Sequence, residues 1–365
     1  MFEGLAVTQP EIAQQLSDLV ESDNFPSASL FYGPSFSGRM YAAMQLGKAL
    51  DVPKENTIII SDRNHEYRIK TALGLLKRAK NKAAKEFLKE NIGILLQQYH
   101  GALIEDQSAA GKKRFEDAAA VGELLDLVGP AGETQIDALV DKIAKAVGPL
   151  MDANKTSAIS VGQVRAIRDW CATSAMDGQH KLVIIEGLEN ALSSAVNALL
   201  KTLEEPPRDT YFVIVSANPG RLLATILSRV RKFKFDELTV LNTMYIFNTL
   251  FIDPNKYGSL QAFFLDGAGI DDDYLVRAAI ALVLKKDFDV PAVVKVLEEN
   301  KAWDLFYTHV LEVIYVGQMD GTIEAKKAEY LITELTSMLN KAKTYNQLKR
   351  LTFDYVIYRV KEVLR

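Results

Sequence analysis

Residues 181–235 read KLVIIEGLENALSSAVNALLKTLEEPPRDTYFVIVSANPGRLLATILSRVRKFKF. The segments 182–185 and 211–215 are unbroken apolar runs, which is typical of parallel strands that are buried on both faces. Between them, leucine and alanine recur at the spacing of a helix that packs one face on a sheet. A short helix and a third strand at 231–235 follow. Strands that alternate with helices predict an α/β fold with a parallel sheet and crossover helices.

A glycine-containing loop lies between another predicted strand at 29–32 and a predicted helix at 41–50. The loop reads Gly33-Pro34-Ser35-Phe36-Ser37-Gly38-Arg39-Met40. Strand, glycine loop and helix are the context of the phosphate-binding P-loop G-x-x-x-x-G-K-[ST], and the two glycines have the spacing of that motif. The lysine and the hydroxyl residue that complete the motif are missing. We therefore interpret this segment as a degenerate P-loop.

Three positions make nucleotide binding at this loop unfavourable. Arg39 stands where a lysine would reach the β- and γ-phosphates, and its planar guanidinium is not interchangeable with an ammonium group. Met40 stands where a hydroxyl would help to hold Mg²⁺, a hard cation for which a thioether is a poor ligand. Phe36 adds a large side chain to a loop whose backbone would have to approach phosphates closely. We expect no nucleotide, no other cofactor and no metal here.

Two segments resemble bacterial clamp-loader subunits, which are AAA+ proteins. They are residues 197–207, NALLKTLEEPP, and residues 225–229, TILSR; residues 161–165, VGQVR, are similar to the family's I-D-Q-V-R helix start. Active members of the family carry Asp-Glu after a strand where this chain has Glu186-Gly187, so the magnesium carboxylate and its neighbouring base are not in place. Because both nucleotide motifs are altered, the chain is most similar to the delta-prime branch of the family.

The resemblance implies an α/β fold with an AAA+ P-loop-type parallel sheet core, a helical lid and a C-terminal helical collar domain. We predict the core at residues 1–235, the lid at 236–288 and the collar, which would serve oligomerisation, at 289–365. A helical insertion at about 67–150 would interrupt the core, because this part of the chain is rich in alanine, leucine and lysine with helical periodicity.

The insertion itself has no function that we can infer from its sequence. Loop-forming residues predict helix breaks at 111–114 and 128–132. A run of cations could contact DNA or a partner protein, although a solvated helix face is the more usual meaning of such a run. These cations are Lys77, Arg78, Lys80, Lys82, Lys85 and Lys89.

The family resemblance also implies a function. It indicates a non-hydrolysing subunit of the DNA polymerase III clamp loader, which uses ATP to load the sliding clamp onto primed DNA. The expected partners are the tau or gamma ATPase subunits and the delta subunit, together with the sliding clamp and primer–template DNA through the complex. Arg229, preceded by Ser228, would act in trans on the ATP of a neighbouring subunit and stabilise charge on its γ-phosphoryl group. The chain would have no enzymatic activity of its own.

Other interpretations stay open. Arg229 could pair with an acid of its own domain, and Glu204 with Pro206-Pro207 indicates a shaped turn rather than a site. Arg277 matches the lid arginine of the family, sensor 2, only loosely. The chain could instead be an AAA+ motor or remodeller with a non-standard nucleotide site, which would turn over Mg-ATP. It could also be a stand-alone DNA-binding scaffold, whose DNA affinity would depend on salt without partners.

The composition is that of an ordinary globular protein. Among 365 residues, 48% are hydrophobic and 25% are charged, and the formal net charge of −4 argues against wholesale coating of nucleic acid. No apolar run approaches the ~18 residues of a membrane helix and the N-terminus lacks the basic segment of a signal peptide, so we expect a cytoplasmic location. The single cysteine, Cys171, excludes an internal disulfide, and we expect it to be packed rather than catalytic.

Overall fold

The computed structural model describes residues 2–61, 66–103, 109–153, 159–173, 180–253, 256–257, 259–267, 269–300, 302–344 and 348–364. Asp177-Gly178, where we expect the chain to cross into the strand at 182–185, lies outside these residues.

The strands of the described chain form a parallel sheet. They are β1 (Ala28–Tyr32), β2 (Thr57–Ser61), β3 (Lys181–Glu186), β4 (Thr210–Ser216) and β5 (Arg231–Lys234). The five strands pair in the order β2-β3-β4-β1-β5, and every pairing is parallel. The predicted α/β fold with a parallel sheet is confirmed.

Helices connect the strands and continue beyond the sheet. In chain order they are α1 (Glu3–Thr8), α2 (Pro10–Glu21), α3 (Arg39–Ala49), α4 (Glu66–Ala79), α5 (Lys82–Gln97), α6 (Ala109–Asp126), α7 (Glu133–Ala153), α8 (Val161–Ala172), α9 (Ser193–Glu204), α10 (Ala224–Leu227), α11 (Val240–Thr249), α12 (Leu260–Gly267), α13 (Asp272–Val283), α14 (Val290–Asn300), α15 (Trp303–Met319), α16 (Ala325–Thr344) and α17 (Lys349–Val363). None of the helices in the described ranges is long and apolar enough to span a membrane.

Both faces of the sheet are buried, which explains the unbroken apolar runs of its central strands. Val183 and Ile185 of β3 pack on the side that also holds Leu199 of α9. Leu182 and Ile184 pack on the opposite side, together with residues of α3. A parallel sheet covered by helices on both sides has the carboxyl ends of all its strands at one end. That end carries the glycine loop, which follows β1, and Glu186, the last residue of β3.

The insertion is helical, but one of its predicted breaks is wrong. The break at 128–132 lies between α6 and α7, whereas residues 111–114 lie inside α6. A glycine inside a helix costs only about 1 kcal/mol relative to alanine, and the good helix formers that follow Gly111 outweigh that cost. Buried side chains of α4 to α7 form a core that also includes Phe247 of α11 and Phe263 of α12.

Several cations of the insertion bind groups within it. Lys77 of α4 and Lys80, which directly follows that helix, form ion pairs at 2.6 Å with Asp141 and Asp137 of α7. Lys85 of α5 donates hydrogen bonds to two carbonyl oxygens of the turn between α6 and α7. These three lysines therefore contact groups of the insertion itself. The side chains of Lys77 and Asp141 are 42% and 60% exposed, which agrees with a solvated helix face. A contact of the basic run with DNA or a partner protein stays a prediction.

Contacts between residues divide the chain into two compact units, Met1–Gly267 and Ala268–Arg365. The first unit contains the sheet, the insertion, α11 and α12. The second contains α13 to α17, whose core includes Phe306 and Phe353, both fully buried. The division falls inside the range 236–288 that we predicted as a lid, and the organisation into three domains stays a prediction.

Candidate functional site

The two glycines of the degenerate P-loop are required by the backbone itself. A Cβ atom at Gly33 would lie 2.2 Å from the carbonyl oxygen of Phe235, so no side chain fits there. Gly38, the residue before α3, has a φ of +89°, a left-handed conformation that glycine adopts without strain. Both glycines therefore serve the turn from β1 into α3, whether or not a phosphate binds.

Gln9 fixes the loop from outside. Its side chain is buried, and its Nε2 donates hydrogen bonds to the carbonyl oxygens of Ser37, at 3.1 Å, and Asp236, at 2.7 Å. Its Oε1 accepts a hydrogen bond from the backbone N–H of Asp236 at 3.2 Å. One amide group thereby joins the glycine loop to the chain that follows β5. Sequence analysis did not predict this role, because the two partners of Gln9 are distant in the chain and no local motif marks it.

Side chains fill much of the space beside the loop. The Phe36 ring stacks on Phe264 of α12, with 5.7 Å between ring centroids, and the Arg68 guanidinium lies 5.9 Å from the centroid of Phe36. Arg39 and Met40, which replace the motif's lysine and hydroxyl residue, are each only 5% exposed, and Met40 belongs to the apolar core. The cavity left between the loop, α4, α5 and β3 measures about 160 Å³. Ligand pockets commonly measure roughly 300–1,000 Å³, so this cavity is small for a ligand site.

A buried acid borders the same cavity. Glu186 is 3% exposed and accepts a hydrogen bond from the hydroxyl of Ser61 at 2.8 Å. Gly187 follows it with a φ of +81°. Burial acts to lower the pKa of Arg68, but Tyr67 and Glu186 outweigh it, so this pKa lies above its ordinary value. Arg68 therefore stays charged beside Glu186, the position at which active members of the family carry a magnesium carboxylate.

Arg229 forms an ion pair within its own chain. Its Nη2 lies 2.6 Å from Oε1 of Glu204, the last residue of α9. Its Nη1 donates to the carbonyl oxygen of Thr225 at 2.8 Å and to the hydroxyl of Ser228 at 3.3 Å. The side chain of Arg229 is 32% exposed and that of Glu204 is 47% exposed. Ser228 thus helps to position Arg229, and Glu204 is the acid of the same domain that the alternative interpretation required.

The pairing of β1 with β5 separates Arg229 from the glycine loop. Ser29 of β1 is opposite Arg231 of β5, and Tyr32 is opposite Lys234. The loop begins after Tyr32, whereas Arg229 precedes Arg231. At about 3.3 Å per residue, the two features lie roughly 10 Å or more apart along the strands. Arg229, held by its in-chain partner, is at the opposite end of the sheet from the loop of its own chain.

Two other residues considered in the sequence analysis, Arg277 and Cys171, have surroundings typical of structural residues. Arg277 lies 3.8 Å from Asp271, and both side chains are 66% exposed, so this is a loose surface pair in the second unit. Cys171 is 3% exposed, and burial raises the pKa of its thiol to about 12. A thiol that stays protonated is a poor nucleophile, which agrees with the expected packing role.

Part of the chain is similar to subunits of DNA polymerase III. Residues 134–239 match the family described as "DNA polymerase III, delta subunit". The delta-prime subunit of DNA polymerase III from Haemophilus influenzae is 46% identical over 71 residues, which are 20% of this chain and 22% of that protein. The same subunit from Pseudomonas aeruginosa is 32% identical over 146 residues, 39% of this chain and 44% of that protein.

More distant similarities extend further along the chain. The tau subunit of DNA polymerase III from Bacillus subtilis is 26% identical over 201 residues, 54% of this chain and 34% of that protein. A crystal structure of a DNA polymerase III gamma subunit-related protein from Thermotoga maritima covers 96% of this chain, with 15% identity and a TM-score of 0.43.

The family match includes the residues that carried the resemblance in the sequence. The chain spans less than half the length of the curated relatives described above. Residues 134–239 nevertheless contain all three motifs, at 161–165, 197–207 and 225–229. They also contain β3, β4, β5 and the connection that carries Arg229. Over part of its length, this chain is therefore similar to the delta-prime subunits of DNA polymerase III.

Proposed function

We propose that this chain is a non-hydrolysing subunit of the DNA polymerase III clamp loader and that Arg229 completes the ATP site of a neighbouring ATPase subunit. The proposed partners are the tau or gamma ATPase subunits and the delta subunit. Through the complex, the chain would contribute to ATP-dependent loading of the sliding clamp onto primer–template DNA in the cytoplasm. Similarity to delta-prime subunits over part of the chain supports the general role. The positions of the glycine loop and of Arg229 at opposite ends of the sheet support the roles proposed for each.

The glycine-loop end supports the non-hydrolysing part of the proposal. Hydrolysis needs groups that cradle the phosphates, hold Mg²⁺ and orient the attacking water. In this chain Phe36 and Arg68 occupy the space beside the loop, Met40 is packed in the core, and Gly187 stands where active relatives carry the base. The cavity that is left is small for a ligand site.

The position of Arg229 carries the in-trans part of the proposal. This partly exposed arginine precedes β5, at the opposite end of the sheet from the loop that follows β1. It is therefore available to another subunit while it is remote from the degenerate site of its own chain. An arginine supplied to a neighbour's γ-phosphoryl group accelerates transfer by about 10³–10⁵.

Glu204 has a defined part in this proposal. An exposed ion pair contributes only about 0–1 kcal/mol to stability, so its exchange for another anion costs little. The pair with Glu204 orients the guanidinium in the free chain, with Thr225 and Ser228 as further hydrogen-bond acceptors. A phosphate of a neighbouring ATP would compete for the same guanidinium, for which bidentate phosphate contacts are favourable.

The test uses the reconstituted complex rather than the isolated chain. Arg229→Ala should assemble normally by gel filtration and should lower clamp- and DNA-stimulated ATP turnover, because the one site that this chain faces loses its arginine. Arg229→Lys should recover little, since a point charge does not reproduce the guanidinium fork. Glu204→Gln, which removes only the in-chain partner, should keep turnover. Arg168→Ala is the matched control, because Arg168 is also exposed and paired with an acid, Asp169.

Undiminished turnover in the assembled Arg229→Ala complex would remove the in-trans role and leave Arg229 as a structural residue. A loss of turnover that Arg168→Ala reproduces would have the same consequence, because the effect would then be a general one of surface charge.

A further inference from the structure

The tip of the glycine loop has an unusual backbone that points to a packing role for one side chain. Phe36 has a φ of +62°, a left-handed conformation that is unfavourable for any residue other than glycine. Strain of this kind persists only where the surroundings compensate for it. The compensation here is aromatic, because the ring of Phe36 packs against two other rings and a guanidinium.

The rings around Phe36 come from three separate helices. Phe36 stacks on Phe264 of α12 at 5.7 Å with 22° between the ring planes, and Phe87 of α5 stacks on Phe264 at 6.0 Å with 25°. Tyr67 of α4 meets Phe264 edge to face at 6.0 Å. The guanidinium of Arg68 lies within 5.9 Å of the ring centroids of Phe36 and Tyr67 and 5.7 Å from that of Phe264. Stacked, edge-to-face and cation–π contacts of this geometry are attractive.

The backbone of α12 is held in close contact with α4 at the same place. The hydroxyl of Thr71 in α4 donates a hydrogen bond to the carbonyl oxygen of Phe264 at 2.8 Å. A Cβ atom at Gly267, the last residue of α12, would lie 2.4 Å from that hydroxyl oxygen. The absence of a side chain at Gly267 therefore allows the two helices to approach closely enough for the ring of Phe264 to reach the loop.

We infer that these side chains form an internal occupant of the degenerate site, which holds α12 against the glycine loop without any bound ligand. We name this group the aromatic lock; its members are Phe36, Tyr67, Arg68, Phe87 and Phe264. It goes beyond the proposed function, since it concerns the free chain and does not depend on partners. The aromatic rings and the guanidinium that pack beside the glycine loop all come from the chain itself. The contact between α12 and the loop therefore forms without a nucleotide.

Amide hydrogen exchange on the full chain tests this coupling, because local opening of one helix is read out directly. Phe36→Leu keeps an apolar side chain but removes the ring, and should speed exchange across α12 by about tenfold. Phe264→Leu should speed exchange of residues 34–38 to a similar extent. In the double variant, the opening constant should rise by less than the two single effects multiplied together. The shortfall should be roughly 2- to 10-fold, the coupling expected of an aromatic pair. Mg-ATP should leave the wild-type exchange unchanged.

Phe247→Leu provides the matched control. Phe247 is a fully buried residue of α11 whose ring packs on Phe263 of α12 and on Tyr257, which are not members of the aromatic lock. Its combination with Phe36→Leu should be additive. Unchanged exchange in α12 on Phe36→Leu, or the same coupling for both pairs, would overturn the inference. If Phe36→Leu does not fold, Phe264→Leu alone decides the matter through the exchange of residues 34–38. These outcomes are independent of the Arg229 experiment, which concerns the assembled complex.

Discussion

Arg68 lies where three aromatic rings and a buried carboxylate meet. Its guanidinium contacts the rings of Phe36, Tyr67 and Phe264, and its charge interacts with Glu186 at the end of β3. A buried carboxylate costs several kcal/mol unless cations and hydrogen bonds compensate for it. The hydroxyl of Ser61 supplies one such bond. Arg68 therefore has two separable roles, as a cation that packs against aromatic rings and as a counter-charge to Glu186.

Substitution of Arg68 tests the counter-charge role. Arg68→Met keeps the length and apolar character of the side chain but removes its charge, and should destabilise the first unit by about 1–3 kcal/mol, the usual cost of an uncompensated buried polar group. Adding Glu186→Gln should recover part of this loss, since the carboxylate that needs a cation is then gone. Urea unfolding midpoints of the single and double variants measure both effects. Equal destabilisation with and without Glu186→Gln would mean that Arg68 acts only through its contacts with the rings.

Residue-scale prediction from the sequence succeeded where the chemistry is local. The replacement of lysine and hydroxyl by Arg39 and Met40 was visible in the motif, and so was the bulk of Phe36. The contact of Phe36 with Phe264 could not be predicted, because Phe264 belongs to a helix far along the chain whose packing no local pattern reveals. The hydrogen bonds of Gln9 to Ser37 and Asp236 were missed for the same reason. Glu204 was interpreted as part of a turn, although its carboxylate binds Arg229.

At the scale of the element, the strands that hydrophobic patterns mark were predicted close to their observed positions. The strands at 182–185 and 211–215 lie where their apolar patterns place them. The wrong break at 111–114 arose from the weight given to one glycine, which a long helix tolerates. α12 was not predicted at all. It is short, and its main stabilisation is tertiary, through Phe263 and Phe264 in the core of the insertion.

In the second unit, one ion-pair network ties α16 to α17. Arg359 donates to both carboxylate oxygens of Glu334 at 2.7 Å, and Tyr355 donates to Glu334 at 2.8 Å. Hydrogen bonding from Arg359 lowers the pKa of Glu334, burial raises it by less, and Tyr355 adds to the lowering, so the net pKa lies below its ordinary value. A carboxylate of this kind stabilises the folded state above its unfolded pKa, and the stabilisation is lost as pH falls through the folded pKa.

Glu334→Gln should therefore change the pH dependence of stability. At neutral pH the variant should unfold at a lower urea concentration than the wild type, because the charge-assisted pair is gone. Below about pH 4.3, the ordinary pKa of glutamate, the difference should shrink as the wild-type carboxylate becomes protonated. Circular dichroism during urea unfolding from about pH 7 to pH 3 measures this. Glu329→Gln, at an exposed glutamate of the same helix, is the control and should not alter the slope. A constant difference at every pH would contradict the assignment.

For the whole molecule, the two ends of the parallel sheet differ in the features that they carry. The carboxyl end carries a loop that keeps the turn of a P-loop beside a cavity of about 160 Å³. The amino end of β5 carries an arginine that is held by a weak, exposed ion pair. Buried apolar strands lie between these two features, so a change at one of them need not alter the other.

The isolated chain should accordingly bind Mg-ATP poorly and should not hydrolyse it. Restoring the motif with Arg39→Lys and Met40→Thr should not be sufficient, because the ring of Phe36 still fills the cavity and Gly187 still replaces the base. Adding Phe36→Gly, which removes the ring and suits the positive φ, should allow measurable nucleotide binding without turnover. Calorimetric titration measures binding, and single-turnover assays with radiolabelled ATP measure hydrolysis.

A contaminating ATPase is the main source of error in such assays, so the control must act on this loop alone. Gly33→Val serves for this purpose, since a side chain at position 33 collides with the carbonyl oxygen of Phe235 and disrupts the turn. Hydrolysis by the wild-type chain that Gly33→Val abolishes, with the rest of the fold intact by circular dichroism, would contradict the non-hydrolysing role and favour a motor with a non-standard site. Hydrolysis that persists in Gly33→Val would come from the contaminant. The physical reason to expect no activity is cumulative, because the phosphate cation, the magnesium ligand, the base and the space for the nucleotide are each altered in this one chain.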